Sequence, residues 1–200
     1  GAVVSDLKKL PPQVALDHTD LLILTYEWGV TYSGMLLAAE ITKDARYREY
    51  THQRLAAIAA VASHAKKSLA ADGSVPEVKH GMSLRSILQP RSLDDSGSMC
   101  AAMIKAHRAG LGNDLRPWID NYVRYVSAGQ MRLADGTLAR NRPLPASLWL
   151  DDLYMSVPCL AQAGKLTGEG RYFDDAAKQI LQFAERMFLG ERRLFMHGWV

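Results

Sequence analysis

The sequence predicts an all-α protein assembled from antiparallel helical hairpins. Three observations carry this: paired segments with apolar residues at helical spacing, short turns inside each pair, and an aromatic residue early in each second helix. The first hairpin is predicted from Leu21 to Lys43 and from Arg46 to Leu69, joined by the short Lys43-Asp44-Ala45 link that makes the two helices neighbours. The second is predicted from about Gly97 to Ala109 and from Leu115 to Ala128, with Gly110-Leu111-Gly112-Asn113-Asp114 as a helix-ending turn. The third is predicted from Asp152 to Lys165 and from Arg171 to Leu189, around Thr167-Gly168-Glu169-Gly170. Its last helix places Tyr172, Phe173, Ala176, Ala177, Ile180, Leu181, Ala184, Met187 and Phe188 on one apolar stripe, which needs a large surface to pack on. The aromatic residues opening the second helices are Tyr47, Trp118 and Tyr172.

Repeated helical hairpins form either a solenoid or a closed double-layer barrel. The connectors favour the barrel. Residues 71–93 and 130–150 are long, contain prolines and the Asp72-Gly73 and Asp135-Gly136 turn signals, and differ from the short uniform links of solenoids. Long loops at one end of a helical scaffold are where a binding cleft is built. The whole chain, residues 1–200, reads as a single helical-hairpin domain.

Composition excludes several function classes. With 48% hydrophobic and 22% charged residues, 200 residues suffice for one real core. Every apolar stretch is interrupted by charge well short of the roughly twenty residues a membrane span needs, so no membrane association is expected. The segment Gly1-Ala2-Val3-Val4-Ser5-Asp6 lacks a secretory pattern, which suggests a cytoplasmic protein, or a periplasmic or secreted one whose signal has been removed. Cys100 and Cys159 each sit in an apolar helical context, where buried free thiols are common. The net charge of +3 is spread over interleaved acids and bases, so nucleic acid is not an expected partner, while an anionic small molecule is compatible. The six histidines show no ligand spacing, and no phosphate-cradling loop or nucleophile elbow is present, so neither a metal nor a cofactor is expected.

Four segments carry a family resemblance: Tyr26-Glu27-Trp28-Gly29-Val30-Thr31-Tyr32-Ser33-Gly34-Met35, Leu93-Asp94-Asp95-Ser96-Gly97-Ser98-Met99, Trp149-Leu150-Asp151-Asp152-Leu153-Tyr154-Met155-Ser156-Val157-Pro158 and Leu194-Phe195-Met196-His197-Gly198-Trp199. In this order they resemble the unsaturated rhamnogalacturonyl hydrolases of glycoside hydrolase family 105, relatives of the unsaturated glucuronyl hydrolases of family 88. The resemblance implies an (α/α)6 barrel of the six-hairpin type, of which the three hairpins here make about half. A half barrel exposes inner apolar faces that a second copy in a homo-oligomer, the remaining hairpins or disorder must resolve.

The resemblance also implies a glycoside hydrolase acting on lyase-generated pectic oligosaccharides. In that family the C4=C5 double bond of a terminal uronate is protonated at C4, water adds at C5, and the hemiketal opens to release the sugar. Asp152 takes the role of proton donor and Asp94 that of its coupled carboxylate. Leu93-Asp94 before a Gly-small-Met stretch points to Asp94, although helix capping accounts for either Asp94 or Asp95. Asp151 becomes a helix N-terminal neighbour. Burial against Trp149 and Tyr154 and repulsion from Asp94 are expected to raise the Asp152 pKa. His197 and Arg142 are implied to contact the uronate or water, and Tyr26, Trp28, Tyr32 and Trp149 to face sugar rings, with core packing the alternative for at least one of them. Asp95 is carried as a further substrate-side residue. Two rival readings remain: another helical-barrel sugar enzyme, such as an inverting glycosidase or an epimerase, and a non-catalytic helical-repeat binding protein, which predicts no acid-lined pocket.

Overall fold

In a computed structural model the chain is described for residues 24–67, 84–111 and 113–200. Helix α1 spans Tyr26–Thr42, α2 Ala45–Lys66, α3 Arg85–Leu88, α4 Leu93–Arg108, α5 Arg116–Arg124, α6 Leu150–Thr167 and α7 Gly170–Met187. Among the described residues there are also four two-residue strands: β1 Leu148–Trp149, β2 Phe188–Leu189, β3 Leu194–Phe195 and β4 Gly198–Trp199. The three hairpins expected from the sequence are therefore α1/α2, α4/α5 and α6/α7. The expected start at residues 21–23, the end of the first hairpin at 68–69, Gly112 and the Asp72-Gly73 turn lie outside the described residues. No described helix is long and apolar enough to cross a membrane.

Local chemistry sets the helix ends. Asp44 accepts a hydrogen bond from the Arg46 amide at 3.0 Å and caps α2. Helix α1 stops at Lys43, which takes a left-handed backbone with φ of 61°. Helix α6 stops at Gly168 with φ of 77°, a conformation that glycine adopts without cost. Helix α4 begins four residues earlier than its apolar pattern suggests, because Leu93, Asp94, Asp95 and Ser96 form its first turn. Helix α5 is shorter than expected: at Tyr125 the coil widens into a single broad turn over residues 125–129, which closes with the Gln130 amide donating to the Tyr125 carbonyl at 2.7 Å.

Helix α4 is the centre of the layer and packs against both α1 and α6. Two glycines permit this. A Cβ on Gly29 of α1 would sit 2.6 Å from the Ser98 backbone, and one on Gly97 of α4 would sit 2.4 Å from the Met155 carbonyl oxygen of α6. The helices touch backbone to backbone, and Met99, Cys100, Met103 and Ile104 fill the space below them. Cys159 of α6 is buried as well, and both cysteines are free thiols.

Helix α7 departs from the expected stripe. Its buried seam is Tyr172, Ala176, Gln179, Phe183 and Met187, whereas Phe173, Ile180, Leu181 and Phe188 are exposed, Leu181 by 70%. The apolar face is broader than the surface α6 offers, so only the edge that includes Gln179 and Phe183 is covered. Gln179 is buried because the 130–140 loop needs it: its Oε1 accepts the Leu138 amide at 2.8 Å and its Nε2 donates to the Gly136 carbonyl at 3.1 Å. Beside it Arg132 grips Asp175 with two hydrogen bonds of 2.9 and 2.7 Å. The Asp135-Gly136 turn forms as expected, with Arg132 and Leu138 paired across it and Gly136 at φ of 89°.

The close crossings yield a prediction. Gly97→Ala forces α4 and α6 apart against a carbonyl that cannot rotate away, so it should destabilise the fold by roughly 1–3 kcal/mol. Gly34→Ala, on the same layer with open space around its Cβ position, should not destabilise it. Thermal denaturation of the two variants checks the contrast.

Candidate active site

The acidic pairs predicted from the sequence lie at the starts of α4 and α6, and the small-residue crossing of those helices sets them side by side. Asp94 and Asp95 fall in the first turn of α4, Asp151 and Asp152 in that of α6. Helix starts normally use carboxylates to cap free amides. Asp94 does so in part: its Oδ1 accepts the Asp95 amide at 2.8 Å and the Ser92 hydroxyl. Asp95 reaches across to α1 and accepts the Tyr26 amide at 2.9 Å, holding the first turn of that helix. Asp152 does not cap. Among the described residues its oxygens accept only from a side chain, that of Arg140.

Arg140 is the residue that sequence reasoning missed, and it organises the site. Its Nε and Nη2 donate to the two oxygens of Asp152 at 2.5 and 2.8 Å. The same Nη2 donates to Asp94 Oδ2 at 2.9 Å and stands 3.7 Å from Asp151 Oδ2. One guanidinium thus faces three carboxylates. A backbone bridge positions it: the Arg140 amide donates to the Ser147 carbonyl at 2.8 Å, and the Arg140 carbonyl accepts the Ser147 amide at 3.1 Å. Ser147 directly precedes β1, which leads into α6 and Asp152. The guanidinium also lies 5.1 Å from the ring centre of Trp149.

The C-terminal motif arrives at the same place by strand pairing. Strand β4 pairs antiparallel with β1, Trp199 opposite Leu148 and Gly198 opposite Trp149. The His197 carbonyl accepts the Leu150 amide at 2.8 Å, satisfying a free donor at the start of α6. The exposed His197 ring meets Trp149 edge-on at 5.2 Å between centres. His197, Trp149, Arg140 and Asp152 therefore form one chain of contacts.

Next to it opens a cavity of about 410 Å³, lined among others by Arg91, Ser92, Tyr125, Gln130, Arg140 and Arg142. Arg142, the basic residue predicted from the sequence, thus lines the cavity, while Arg140 two residues earlier holds the acids. Tyr125 donates to Gln130 at 2.6 Å. Burial, together with the charges of Asp152 and Asp94, pushes its hydroxyl up to about 12.

Burial governs the acids. Asp152 is 1% exposed. Desolvation lifts its pKa to about 6 against the pull of Arg140, with further upward pushes from Asp94 and Asp151. Arg140 is held charged by the same carboxylates. Asp95 also rises to about 6, through burial and the charge of Asp94, with the Tyr26 amide opposing.

Three expectations need correction. Tyr32 is fully buried and Trp28 is half-buried against it, their rings 5.3 Å apart, with Trp28 also stacked on Tyr50 of α2 at 6.4 Å. These two side chains pack in the α1/α2 seam instead of standing free toward a sugar, because positions 28 and 32 sit one turn apart on the side of α1 that meets α2. Tyr154 does not cover Asp152: it is 62% exposed on the far side of α6. The buried environment of Asp152 comes from Arg140 and the packed helix starts. Tyr26, by contrast, is exposed, with its phenol close enough to Glu27, Asp94 and Asp151 for their charges to raise its pKa. Among the described residues no group of three or more His, Cys, Asp or Glu is arranged to hold a metal ion.

The all-α layer of hairpins is a fold shared with solved structures. The structure of a possible member of family GH105 from Salmonella enterica serovar Paratyphi A superposes with a TM-score of 0.61 at 18% identity, over 88% of this chain and 40% of that one. A possible GH105 member from Klebsiella pneumoniae gives 0.57 at 19%, over 88% and 40%. A family 105 glycoside hydrolase from C. acetobutylicum gives 0.60 at 19%, over 96% and 46%. The chain spans less than half the length of these proteins, and its hairpins correspond to part of their helical barrel. No curated protein matches the sequence. The profile of Glycosyl Hydrolase Family 88 matches residues 4–200, and the chain belongs to that family.

The raised carboxyl pKa values fix the sign of a stability effect. A group whose pKa is higher in the folded than in the unfolded chain contributes stability that is complete below about 4 and is lost as pH rises through about 6. Asp95→Asn removes that contribution while leaving an oxygen for the Tyr26 amide. Relative to the parent, the variant should gain stability between pH 4.5 and 7.5, and urea denaturation at the two pH values measures the difference.

Proposed function

We propose that the chain carries the acid-bearing part of a glycoside hydrolase that releases a 4,5-unsaturated uronic acid from lyase-generated pectic oligosaccharides of the rhamnogalacturonan type. The observation that carries the proposal is the Asp152 carboxyl, buried at a helix start beside Asp94, with a pKa near 6 and an arginine-lined cavity alongside. A helical-repeat binding protein has no use for such a constellation.

The groups present suit the hydration chemistry that the family resemblance implies. A vinyl ether is hydrated by a proton at C4 and water at C5. Protonated Asp152 gives its proton to C4, and positive charge develops at C5 and the ring oxygen, where the Asp94 carboxylate stabilises it. The Asp152 carboxylate then takes a proton from the water that adds to C5. The C5 hemiketal opens, and the neighbouring sugar leaves. A carboxyl with a pKa near 4 would hold almost no proton at neutral pH, so burial is what equips Asp152 for the first step. Arg142 and Arg91 suit the uronate carboxylate, Trp149 and Tyr26 the apolar face of the sugar, and His197 the water or a ring hydroxyl.

In the full-length protein Asp152→Asn should lower kcat by roughly two orders of magnitude or more while substrate binding persists. Loss of the ultraviolet absorbance of the conjugated double bond reports the rate. The parent enzyme should lose activity as pH rises above about 6, and saturated oligosaccharides should not be cleaved. Parent-like consumption of the chromophore by Asp152→Asn would transfer the acid role to another carboxyl.

A further inference from the structure

The proposed acid is shut away from the cavity. Asp152 is 1% exposed, and its two oxygens are both occupied by Arg140. Arg140 itself lines the cavity. A ligand entering that space meets the guanidinium before it meets the acid, which does not line the cavity. The arrangement opposes the chemistry in a second way, because a bidentate arginine stabilises the carboxylate over the acid.

Resting on the function proposed above, we infer that Arg140 is a positioning residue that the ligand displaces: an incoming carboxylate takes over the guanidinium, and Asp152 is uncovered and free to take up a proton from solvent.

Several observations make the exchange physically reasonable. The charged and titratable groups facing Asp152 are Asp94 from α4, Asp151 from its own helix, Arg140 from the loop before β1, and the Tyr125 hydroxyl from the broad turn after α5. Three carboxylates share one guanidinium, so the cluster has an excess of negative charge, and neutralising Asp152 by a proton relieves it once Arg140 turns toward another anion. Arg140 is anchored through its backbone to Ser147, which leaves its side-chain torsions as the moving part. The Trp149 ring beneath the guanidinium offers it a surface along which to slide. Arg91 and Arg142 on the cavity wall supply the field that draws an anionic ligand inward. A neutral sugar would lack the charge needed for the exchange, so the latch discriminates for uronates.

The test uses the full-length protein and two readouts. Galacturonic acid, a saturated anion that is not turned over, is titrated into the protein at pH 7 in buffers of different ionisation heat, which reports protons taken up on binding. The parent should take up a substantial fraction of one proton and Asp152→Asn close to none, with galactose, its neutral counterpart, binding weakly and without uptake. With Arg140→Gln the acid is no longer held ionised, so uptake should shrink, and the alkaline limb of the pH–rate profile on an unsaturated galacturonyl disaccharide should move up by about one unit or more. Arg140→Lys preserves charge but not the bidentate grip, should fold as the parent does, and should show an intermediate shift. Unchanged uptake in Asp152→Asn, or a parent profile in both Arg140→Gln and Arg140→Lys, overturns the inference. If Asp152→Asn is itself fully active, the fault lies with the proposed function, and the two failures are told apart.

Discussion

The backbone contact between α4 and its two neighbours is the constraint on which the rest depends. Helices ordinarily pack with side chains between them, at interaxial distances of about 8–10 Å. At Gly29 and Gly97 that layer is missing, since any Cβ there would overlap the Ser98 backbone or the Met155 carbonyl. The consequence is felt one turn away, at the helix starts, where Asp94 and Asp152 come close enough for a single arginine nitrogen to touch both. A larger residue at either crossing acts on the acids without touching them.

The charge cluster is a balance of opposed costs. Removing Asp152 from water disfavours its anion, while Arg140 favours it, and the outcome lies near the middle of the carboxyl-to-neutral range instead of at either extreme. Without Arg140 the pKa of the acid would rise further, and with Asp152 exposed it would fall back toward the ordinary carboxyl value. Asp94, less enclosed, accepts from the Ser92 hydroxyl and the Asp95 amide as well as from Arg140.

Much of the scaffold was legible in the sequence because helical periodicity and turn residues are local properties. The hairpins, the Lys43-Asp44 and Gly168 ends and the Asp135-Gly136 turn all follow from neighbours in the chain. The acids were legible through motif resemblance, and His197 and Trp149 with them. What escaped was decided by tertiary geometry. The stripe on α7 looked uniform, but which edge of it is covered depends on how far α6 reaches and on the loop that Gln179 secures. Trp28 and Tyr32 carry the same aromatic signal whether they face α2 or a sugar, and only the rotation of α1 decides between the two. Arg140 has no period and no cap to announce it. A single arginine in an irregular loop becomes meaningful only when residues 94, 140 and 152 meet, and Arg142 two positions on is chemically indistinguishable on paper.

The pairing of β4 with β1 has a consequence for how the protein reaches its working form. The helical hairpins are built from contacts between near neighbours and can assemble early, whereas the His197 carbonyl reaches the Leu150 amide only after the whole α6/α7 hairpin has formed and turned back. The first amide of α6 thus takes its partner from the segment that follows α7. As the chain emerges, the pairing that seats His197 against Trp149 is therefore available only after α7, while the hydrogen bonds among Asp94, Arg140 and Asp152 join residues that are already present.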